Sequence, residues 1–308
     1  MRYTLKAFQD EQDYWRLRAF LREVFLLNGR RERGWQPYRF DYWRWHIVAN
    51  CHESTIHNRV YWWENAQGEI VAAIHSEGQR DAWLEVHPSV RDIAFEEEMI
   101  RTAMEKLAQE QDNGGHTLVM WVDRQEALRC ETLSRLGFSP TGRLERQRYA
   151  DLTAEIAPVP APAGYTIRSL GDVDELPSRS WASWTAFHPN EPDSVYGGWE
   201  WYRGVQRAPL YRRDLDIVAA TPDGEIVSFC TGWFDDATRT CGVEPVGTDK
   251  YHHRRGLATA VVTEALRRAQ RLGATLATIG SWNDVTDHLY GKLGFAVGEE
   301  MELWEKKW

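Results

Sequence analysis

The stretch His253-Arg254-Arg255-Gly256-Leu257-Ala258 leads directly into an amphipathic pattern, and it is the most informative part of this 308-residue chain. Small residues at Gly256 and Ala258 allow a tight backbone turn, and the first N–H groups of a helix have no partner inside it. With the positive end of the helix dipole and the charges of Arg254 and Arg255, the stretch predicts a diphosphate-binding loop. The alternative is an ordinary tight turn with solvated arginines.

The helix behind the loop is predicted from periodicity. Apolar residues recur at steps of four, and others fill the neighbouring rows, at Leu257, Val261, Ala265, Ala269, Val262, Leu266 and Leu272. Gly273 is the expected C-cap, because glycine adopts the left-handed conformation that ends many helices. The loop therefore lies at a helix N-terminus.

Further patterns surround this helix. Residues 242–248 read as a strand leading to the loop, and residues 274–279 read as a short buried strand after the helix. Asn283 and the stretch Leu289-Tyr290-Gly291-Lys292-Leu293-Gly294-Phe295 follow. Over residues 216–308 this succession resembles the GNAT superfamily of acyl-CoA-dependent N-acyltransferases, in which a Q/R-x-x-G-x-G/A loop binds the diphosphate of CoA and a later helix lies beside its thiol.

The resemblance carries over residue by residue. Gly256 and Ala258 match the small positions, while His253 stands where the family has Gln or Arg and Thr286 replaces a usual Ala. It implies acetyl-CoA as co-substrate, and CoA contacts from Val246, Gly247, Thr248, His253, Arg254, Arg255, Gly256, Leu257, Ala258, Asn283 and Lys292. The backbone of residues 246–248 is expected to pair with the pantetheine arm, with Gly247 permitting a close approach and the sheet opening near Val246.

The resemblance also implies the chemistry. An acetyl or other short acyl group would pass directly from CoA to a primary amine of a small molecule. Tyr290 is the candidate acid that protonates the departing thiolate, and Glu244 is the candidate base that takes the proton of the amine. The alternatives are an aromatic side chain packed on its helix and a solvated strand glutamate.

Tryptophan is abundant, with 16 in the chain. Trp184, Trp233 and Trp282 are candidates for an aromatic acceptor wall, which would suit a cation or an apolar acceptor; core packing explains them equally well. The polar stretch 188–193 reads as a loop that hangs over the acceptor entrance or simply forms a turn.

An internal repeat divides the chain. The sequence Gly-Glu-Ile-Val occurs at residues 68–71 and again at 224–227, and Leu-Gly-Phe occurs at 136–138 and 293–295. Each Gly-Glu-Ile-Val follows a turn, at residues 65–67 and 221–223, as expected for a hairpin between two strands. Both halves are therefore predicted to share one α/β (α+β) fold, a mixed, mostly antiparallel sheet flanked by helices. The predicted domains are 1–152 and 165–308, joined by a Pro/Ala-rich linker at 153–164.

The first half lacks the cofactor-binding and catalytic residues that the resemblance implies for the second half. Its loop aligns as residues 91–96, where Ala94 replaces the glycine and Glu96 takes the second small position. Leu133 stands in place of Tyr290, and Glu126 in place of Asn283. We expect this half not to catalyse and to bind CoA poorly, although Arg91 keeps a basic residue at the first position.

Composition excludes several classes of protein. A net charge of −9 argues against nucleic-acid binding and mildly favours cationic acceptors. Neither an apolar membrane span nor a signal core is visible, so we expect a soluble cytoplasmic protein without a membrane partner, as a monomer or homodimer. Its four cysteines and lone histidines lack metal spacing, so reduced thiols and no metal are expected.

Two functions remain open at this point. One is an N-acyltransferase with a single site in the C-terminal half. The other is a non-catalytic protein of the same fold that senses acyl-CoA or a small ligand. Tyr290 favours the enzyme, because a sensor has no use for an acid beside the thiol.

Overall fold

A computed structural model describes residues 3–51, 56–78, 80–112 and 114–308 of the chain. The first half contains β1 (Thr4–Ala7), α1 (Glu11–Leu27), α2 (Pro37–Tyr42), a π-helix (Trp43–Cys51), β2 (Val60–Glu64), β3 (Ile70–His75), β4 (Asp81–Val86), α3 (Ile93–Lys106), β5 (Gln109–Glu110), β6 (His116–Asp123), α4 (Ala127–Arg135) and β7 (Ser139–Asp151). The second half contains β8 (Thr166–Ser169), α5 (Leu176–Phe187), α6 (Tyr202–Val205), β9 (Asp216–Ala220), β10 (Ile226–Asp235), β11 (Thr240–Thr248), α7 (Leu257–Leu272), β12 (Leu276–Ser281), α8 (Asp284–Lys292) and β13 (Ala296–Lys307).

Contacts divide the chain into two compact units. Unit 1 consists of Met1–Gln147 and Val297–Trp308, and unit 2 of Arg148–Ala296. Within unit 1, β1 to β4 form antiparallel pairs in chain order, and β4 pairs in parallel with β6. Within unit 2 the strand order is β12-β11-β10-β9-β8, with one parallel pair between β11 and β12. Each unit therefore has the predicted mixed, mostly antiparallel sheet.

Both faces of the sheet in unit 2 are buried. On β10, Val227 and Cys230 pack into the cluster that contains α7, while Ile226 and Phe229 pack with α5. Side chains alternate between the faces of a strand, so continuous apolar character along β9 and β10 requires a covering layer on each side. Unit 1 has the same arrangement, with Trp63 in the cluster of α3 and Trp62 in that of α1.

The helix predicted after the loop is confirmed at both ends. Gly256 is the N-cap of α7 with φ +80°, and Gly273 is its C-cap with φ +105°. The N–H of Gly273 donates to the carbonyl of Gln270, 2.9 Å away. The predicted periodic residues Val261, Ala265 and Ala269 are fully buried.

The hairpins predicted from the Gly-Glu-Ile-Val repeat are also present. In one turn the N–H of Asn65 donates to the carbonyl of Glu69, and in the other Thr221 donates to Glu225, at 3.0 and 2.9 Å. The turn glycines, Gly68 and Gly224, have φ values of +78° and +87°. Glycine occurs at both positions because other residues adopt this region at a cost.

The C-terminal strand does not follow the predicted boundary. Residues 297–308 belong to unit 1, where β13 pairs antiparallel with β6 from Met301↔Asp123 to Lys307↔Thr117. Seven residue pairs give the backbone of β13 its hydrogen-bond partners on β6. This pairing, and not the neighbouring position in the sequence, decides to which unit the strand belongs, because backbone groups need partners. The sequence assigned this strand to the domain at 165–308.

The segment predicted as a linker contains no helix or strand, and part of it packs on α7. Gln270 donates to the carbonyls of Leu152 and Ala154 at 2.6 and 2.7 Å, and Arg267 donates to that of Ile156. The domain boundary at 153–164 stays a prediction.

Two further expectations concern cysteines and membranes. The thiols of Cys130, Cys230 and Cys241 are free, and the side chain of Cys51 lies outside the described residues. Among the helices that the structure describes, none combines the length and apolar character of a transmembrane segment.

Candidate active site

The N-terminus of α7 presents unused hydrogen-bond donors. Ala260 donates to the carbonyl of Gly256 at 3.1 Å, whereas the N–H groups of Leu257, Ala258 and Thr259 have no partner among the described residues. Because Gly256 caps the helix without a side chain, nothing from the cap covers these amides. Arg254 adds an exposed guanidinium that forms no ion pair within the described chain. The arrangement suits an anion with several oxygens.

The loop before α7 is held by its own hydrogen bonds. Asp249 accepts from the N–H of Tyr251 at 2.8 Å, and a ring nitrogen of His253 lies 3.0 Å from the carbonyl of Thr248. Arg255 donates to the hydroxyl of Tyr165 at 2.9 Å. His253 therefore braces the loop against the end of β11, and Arg255 is directed to a neighbouring tyrosine.

Beside the loop, β11 separates from β12. The two strands pair only from Thr240↔Leu276 to Gly242↔Thr278, while β11 continues to Thr248. Val246 lies in the part of β11 that is not paired with β12, and it is half-buried against the core cluster of α7. The edge of β11 that faces away from β10 is thus open to an extended ligand, at the position where the sequence predicts an opening.

Packing explains why a glycine stands at position 247, and the sequence did not reveal this reason. A Cβ at this position would lie 2.3 Å from Cζ of Phe229 and 2.9 Å from Cβ of Ala186. Phe229 is the β10 residue directly opposite Gly247. The glycine is therefore required by the ring on the neighbouring strand, whatever approaches the strand from outside.

Tyr290 lies in the last turns of α8 and is 6 % exposed. Burial, together with the nearby Cys230 and Glu244, raises the pKa of its hydroxyl above the usual value. No hydrogen bond of the hydroxyl to another described residue is present. A phenol in this environment stays protonated at neutral pH and has its proton available for a base.

Glu244 is half-buried on the unpaired part of β11, close enough to Tyr290 to affect its pKa. The register between β10 and β11 shifts between the pairs Cys230↔Val246 and Gly232↔Val243, so Glu244 lies at an irregularity. The indole N–H of Trp233 donates to the Glu244 carbonyl. This hydrogen bond fixes the backbone of β11 at Glu244.

The tryptophans of the predicted acceptor wall lie in three different environments. Trp184 is half-buried and lines a cavity, Trp282 is 62 % exposed, and Trp233 is fully buried. Direct contact of Trp233 with an acceptor does not fit this burial, because its ring belongs to the core. Its indole positions the Glu244 backbone instead.

The remaining predicted contacts lie on α8. The carboxamide oxygen of Asn283 accepts from the N–H of Thr286 at 2.9 Å, so Asn283 is the N-cap of the helix. Lys292 is exposed in its last turn, without an ion pair to any described residue. The chain places Asn283 and Lys292 at opposite ends of the helix.

Unit 1 fills the corresponding helix start with acidic groups. The N-cap of α3 is Asp92, whose carboxylate accepts from the N–H of Phe95 at 2.8 Å. Arg91 donates to the fully buried Glu96 at 2.7 Å and forms an ion pair with Glu126. Asp92, rather than the predicted Ala94, is thus the counterpart of Gly256 as N-cap, and its negative charge opposes a phosphate.

Sequence reasoning did not identify Tyr165 and Asp249 as supports of the loop. Tyr165 bonds both Arg255 and a ring nitrogen of His252, the latter at 2.8 Å. The side chain of Asp249 caps the turn that follows it by accepting a hydrogen bond from the N–H two residues later. An aspartate before a turn is a local signal of this role that the sequence does contain. No local pattern signals the contact of Tyr165, because 90 residues separate it from Arg255.

Comparison with known proteins agrees with this geometry. The sequence model of the acetyltransferase (GNAT) family matches residues 174–295. No curated protein matches the chain significantly. Three solved structures with the same fold, all under 25 % identical, align over nearly the whole chain.

A GCN5-related N-acetyltransferase from Sphaerobacter thermophilus shares 17 % identity at a TM-score of 0.65, covering 99 % of this chain and 96 % of that one. A tandem GNAT protein from the clavulanic acid biosynthesis pathway, solved without AcCoA, shares 13 % identity at 0.67, covering 99 % and 98 %. A GNAT-family acetyltransferase from Colwellia psychrerythraea shares 10 % identity at 0.59, covering 98 % and 99 %. The chain therefore has the fold of the GNAT acetyltransferases and, at residues 174–295, carries a domain of that family.

Proposed function

We propose that unit 2 is an acyl-CoA-dependent N-acyltransferase, which transfers an acetyl or other short acyl group to a primary amine of a small molecule. The observation that carries the proposal is the uncovered N-terminus of α7, with three unused N–H groups behind a left-handed Gly256. Arg254 and the amides of Leu257, Ala258 and Thr259 would hold the diphosphate of CoA. The unpaired edge of Val246, Gly247 and Thr248 would receive its pantetheine arm. The other CoA contacts would come from His253 and Arg255 in the loop and from Asn283 and Lys292 on α8.

CoA supplies the acyl group as an activated thioester, and the chain supplies the proton transfers. The amine must lose a proton before it attacks, and Glu244 accepts that proton directly or through water. A C–N bond forms as the C–S bond breaks, and the hydroxyl of Tyr290 donates its proton to the departing sulfur. The new amide nitrogen still carries one surplus proton, which passes to the Tyr290 phenolate directly or through water, and the proton held by Glu244 leaves to solvent. The products are therefore the amide, free CoA and one proton for each ammonium consumed.

Unit 1 is proposed to take no part in catalysis. Asp92 covers the helix start with a carboxylate, Arg91 is already paired, and fully buried Leu133 provides no acid.

The cytoplasmic location expected from the sequence, like the monomeric or dimeric state, stays a prediction.

Release of free CoA from acetyl-CoA over a panel of primary amines tests the proposal. We expect acetyl-CoA to bind and at least one amine to accelerate the release of CoA above the hydrolytic background. Tight binding of acetyl-CoA without transfer to any amine would instead support a sensor of acyl-CoA. Failure of acetyl-CoA to bind would remove both interpretations.

A further inference from the structure

A cavity of about 270 Å³ lies in unit 2 between the end of α5, the stretch that follows it, the β9–β10 turn and the residues just after β11. It is smaller than a site for a whole drug-sized ligand, and its size suits one end of a chain-like molecule. The proposed acyl transfer uses none of the residues that line it. We propose that it binds a second ammonium group of the acceptor, and that the acceptor is a linear aliphatic polyamine; this inference rests on the proposed transferase activity.

The charge of the cavity is strongly negative. Four carboxylate residues line it, at Glu191, Asp193, Glu225 and Asp249, against one lysine, Lys250. Such a lining excludes the phosphates of CoA by like charge and attracts a cation.

Most of this charge is not used by the protein. Among the described residues, the carboxylates of Glu191, Asp193 and Glu225 form no ion pair and no hydrogen bond. Lys250 donates to the backbone carbonyl of Pro189 at 2.7 Å and lies over the ring of Tyr251, so it neutralises none of them directly. Carboxylates that the fold does not pair are available to a ligand.

Aromatic rings form the remaining walls. Trp181, Trp184 and Tyr251 line the cavity, and the ring of His188 stacks on Trp184 with centroids 4.0 Å apart. Nδ1 of His188 is buried and has no partner among the described residues. Ring faces beside carboxylates bind ammonium groups through cation–π attraction, and they cover the methylene chain of an aliphatic amine.

The position of the cavity sets the spacing of the acceptor amines. Asp249 follows β11 directly and lies five residues beyond Glu244, on the order of 15 Å along an extended strand. An amine that reacts near Tyr290 and Glu244 would thus have its second cation at that order of distance. A separation of this order needs a polyamine such as spermidine or a longer homologue and exceeds the reach of a short diamine.

The test uses the full chain, with spermidine as probe and n-hexylamine as a monoamine of similar apolar length. The variant Glu225→Gln removes one exposed carboxylate of the cavity. Asp223→Asn is its matched control, because Asp223 lies at the same hairpin turn, is also exposed and does not line the cavity. Transfer is measured as kcat/KM with acetyl-CoA, and spermidine binding is measured by calorimetry without acetyl-CoA.

We expect spermidine to exceed n-hexylamine in kcat/KM, and Glu225→Gln to weaken spermidine binding and raise its KM about tenfold, while the rate with n-hexylamine and the Asp223→Asn variant stay unchanged. Spermidine binding should also weaken with added salt.

Equal effects of the two variants, or equal rates with spermidine and n-hexylamine, would overturn the inference while leaving the transferase intact. If no amine is acetylated, Glu225-dependent binding of spermidine still supports the cavity as a polyamine site, and only the proposed activity fails. Spermidine binding that does not depend on Glu225 contradicts the site in either case.

Discussion

Tyr290 on α8 and Leu133 on α4 occupy the same position in two matching helices, offset by 157 residues (290 − 133). Each helix has nine residues. After α8 the N–H of Phe295 donates to the carbonyl of Tyr290, and after α4 the N–H of Phe138 donates to the carbonyl of Leu133, both at 3.0 Å. Backbone and burial are thus alike in the two units, and a hydroxyl is present in only one of them.

Removing that hydroxyl tests the acid. The variant Tyr290→Phe is expected to lower kcat at least about tenfold, because the thiolate then departs without a proton donor. The Kd for acetyl-CoA should change little, since the ring keeps its packing beside Phe295. Steady-state kinetics and calorimetry on the same preparation measure both quantities, and an unchanged kcat would remove Tyr290 from the mechanism.

The pH profile provides a second check on the same group. Burial raises the pKa of Tyr290, so its acidic form persists at least up to the usual tyrosine value of about 10. Activity that needs this proton should therefore be lost only above that pH. A decline of kcat that Tyr290→Phe abolishes and that is centred near pH 8 would contradict the assignment.

Gly256 is expected to be required for binding. In Gly256→Ala the new Cβ meets only Pro162 at 3.9 Å, so strain from φ +80° is the main cost, about 1 kcal/mol of stability. A distorted helix start should also weaken acetyl-CoA binding. Gly224→Ala is the control, with φ +87° and open space around its Cβ. Both variants should lose a similar amount of stability, but only Gly256→Ala should lose acetyl-CoA binding. Equal Kd values for acetyl-CoA in the two variants would argue against the loop as its binding site.

Gly247→Ala should act through packing. Its Cβ would overlap the ring of Phe229, which costs about 3 kcal/mol through displaced core side chains. Thermal unfolding should show a lower Tm. Combining it with Phe229→Leu should cost less than the sum of the two single variants, because the shorter side chain makes room. Strict additivity would indicate that Phe229 is not the obstacle.

One acetyl-CoA per chain is expected. The carboxylate of Asp92 on the amides of α3 and the pairing of Arg91 with Glu96 and Glu126 leave no anion site at the equivalent helix start. Isothermal titration of acetyl-CoA measures the stoichiometry. Two sites per chain, with the second lost in Arg91→Ala, would show that unit 1 binds the cofactor after all.

Unit 1 should lose stability as pH rises from 4.5 to about 7. Burial raises the pKa of Glu32 to about 7 from an ordinary 4.5. A folded-state pKa above the unfolded value means that the folded state holds the proton more tightly, so stability is full below pH 4.5 and falls until pH 7. Glu32→Gln keeps an oxygen that accepts from Gln36 and should raise stability at pH 8 by roughly 2–3 kcal/mol, with no gain at pH 4. Equal Tm changes at both values of pH would contradict this cause.

Local patterns in the sequence predicted local structure well. The helix of residues 257–272 and both glycine caps followed from periodicity and from the special conformations that glycine permits. The two hairpins and the matching helices α4 and α8 followed from the repeat. The helix and its caps depend on residues within a few positions of each other, and the repeat needs only a comparison of two short stretches of sequence.

Interpretations that depended on distant partners were less accurate. Gly247 is small because of Phe229 on the opposite strand, and Trp233 is a buried support of Glu244 instead of an exposed wall. The alignment of the two halves also misplaced the loop of the first half by two residues, because the helix N-cap there is Asp92 and not Ala94.

The sequence alone determined the repeated α/β fold, the helix behind Gly256 and the resemblance to a family of acyltransferases, because these are recorded in periodicity, turn residues and ordered motifs. Only the tertiary structure decided that the last strand belongs with β6 and which carboxylates remain unpaired around a cavity. Strand partners, burial and charge pairing are set by residues far apart in the chain, and no local pattern contains that information.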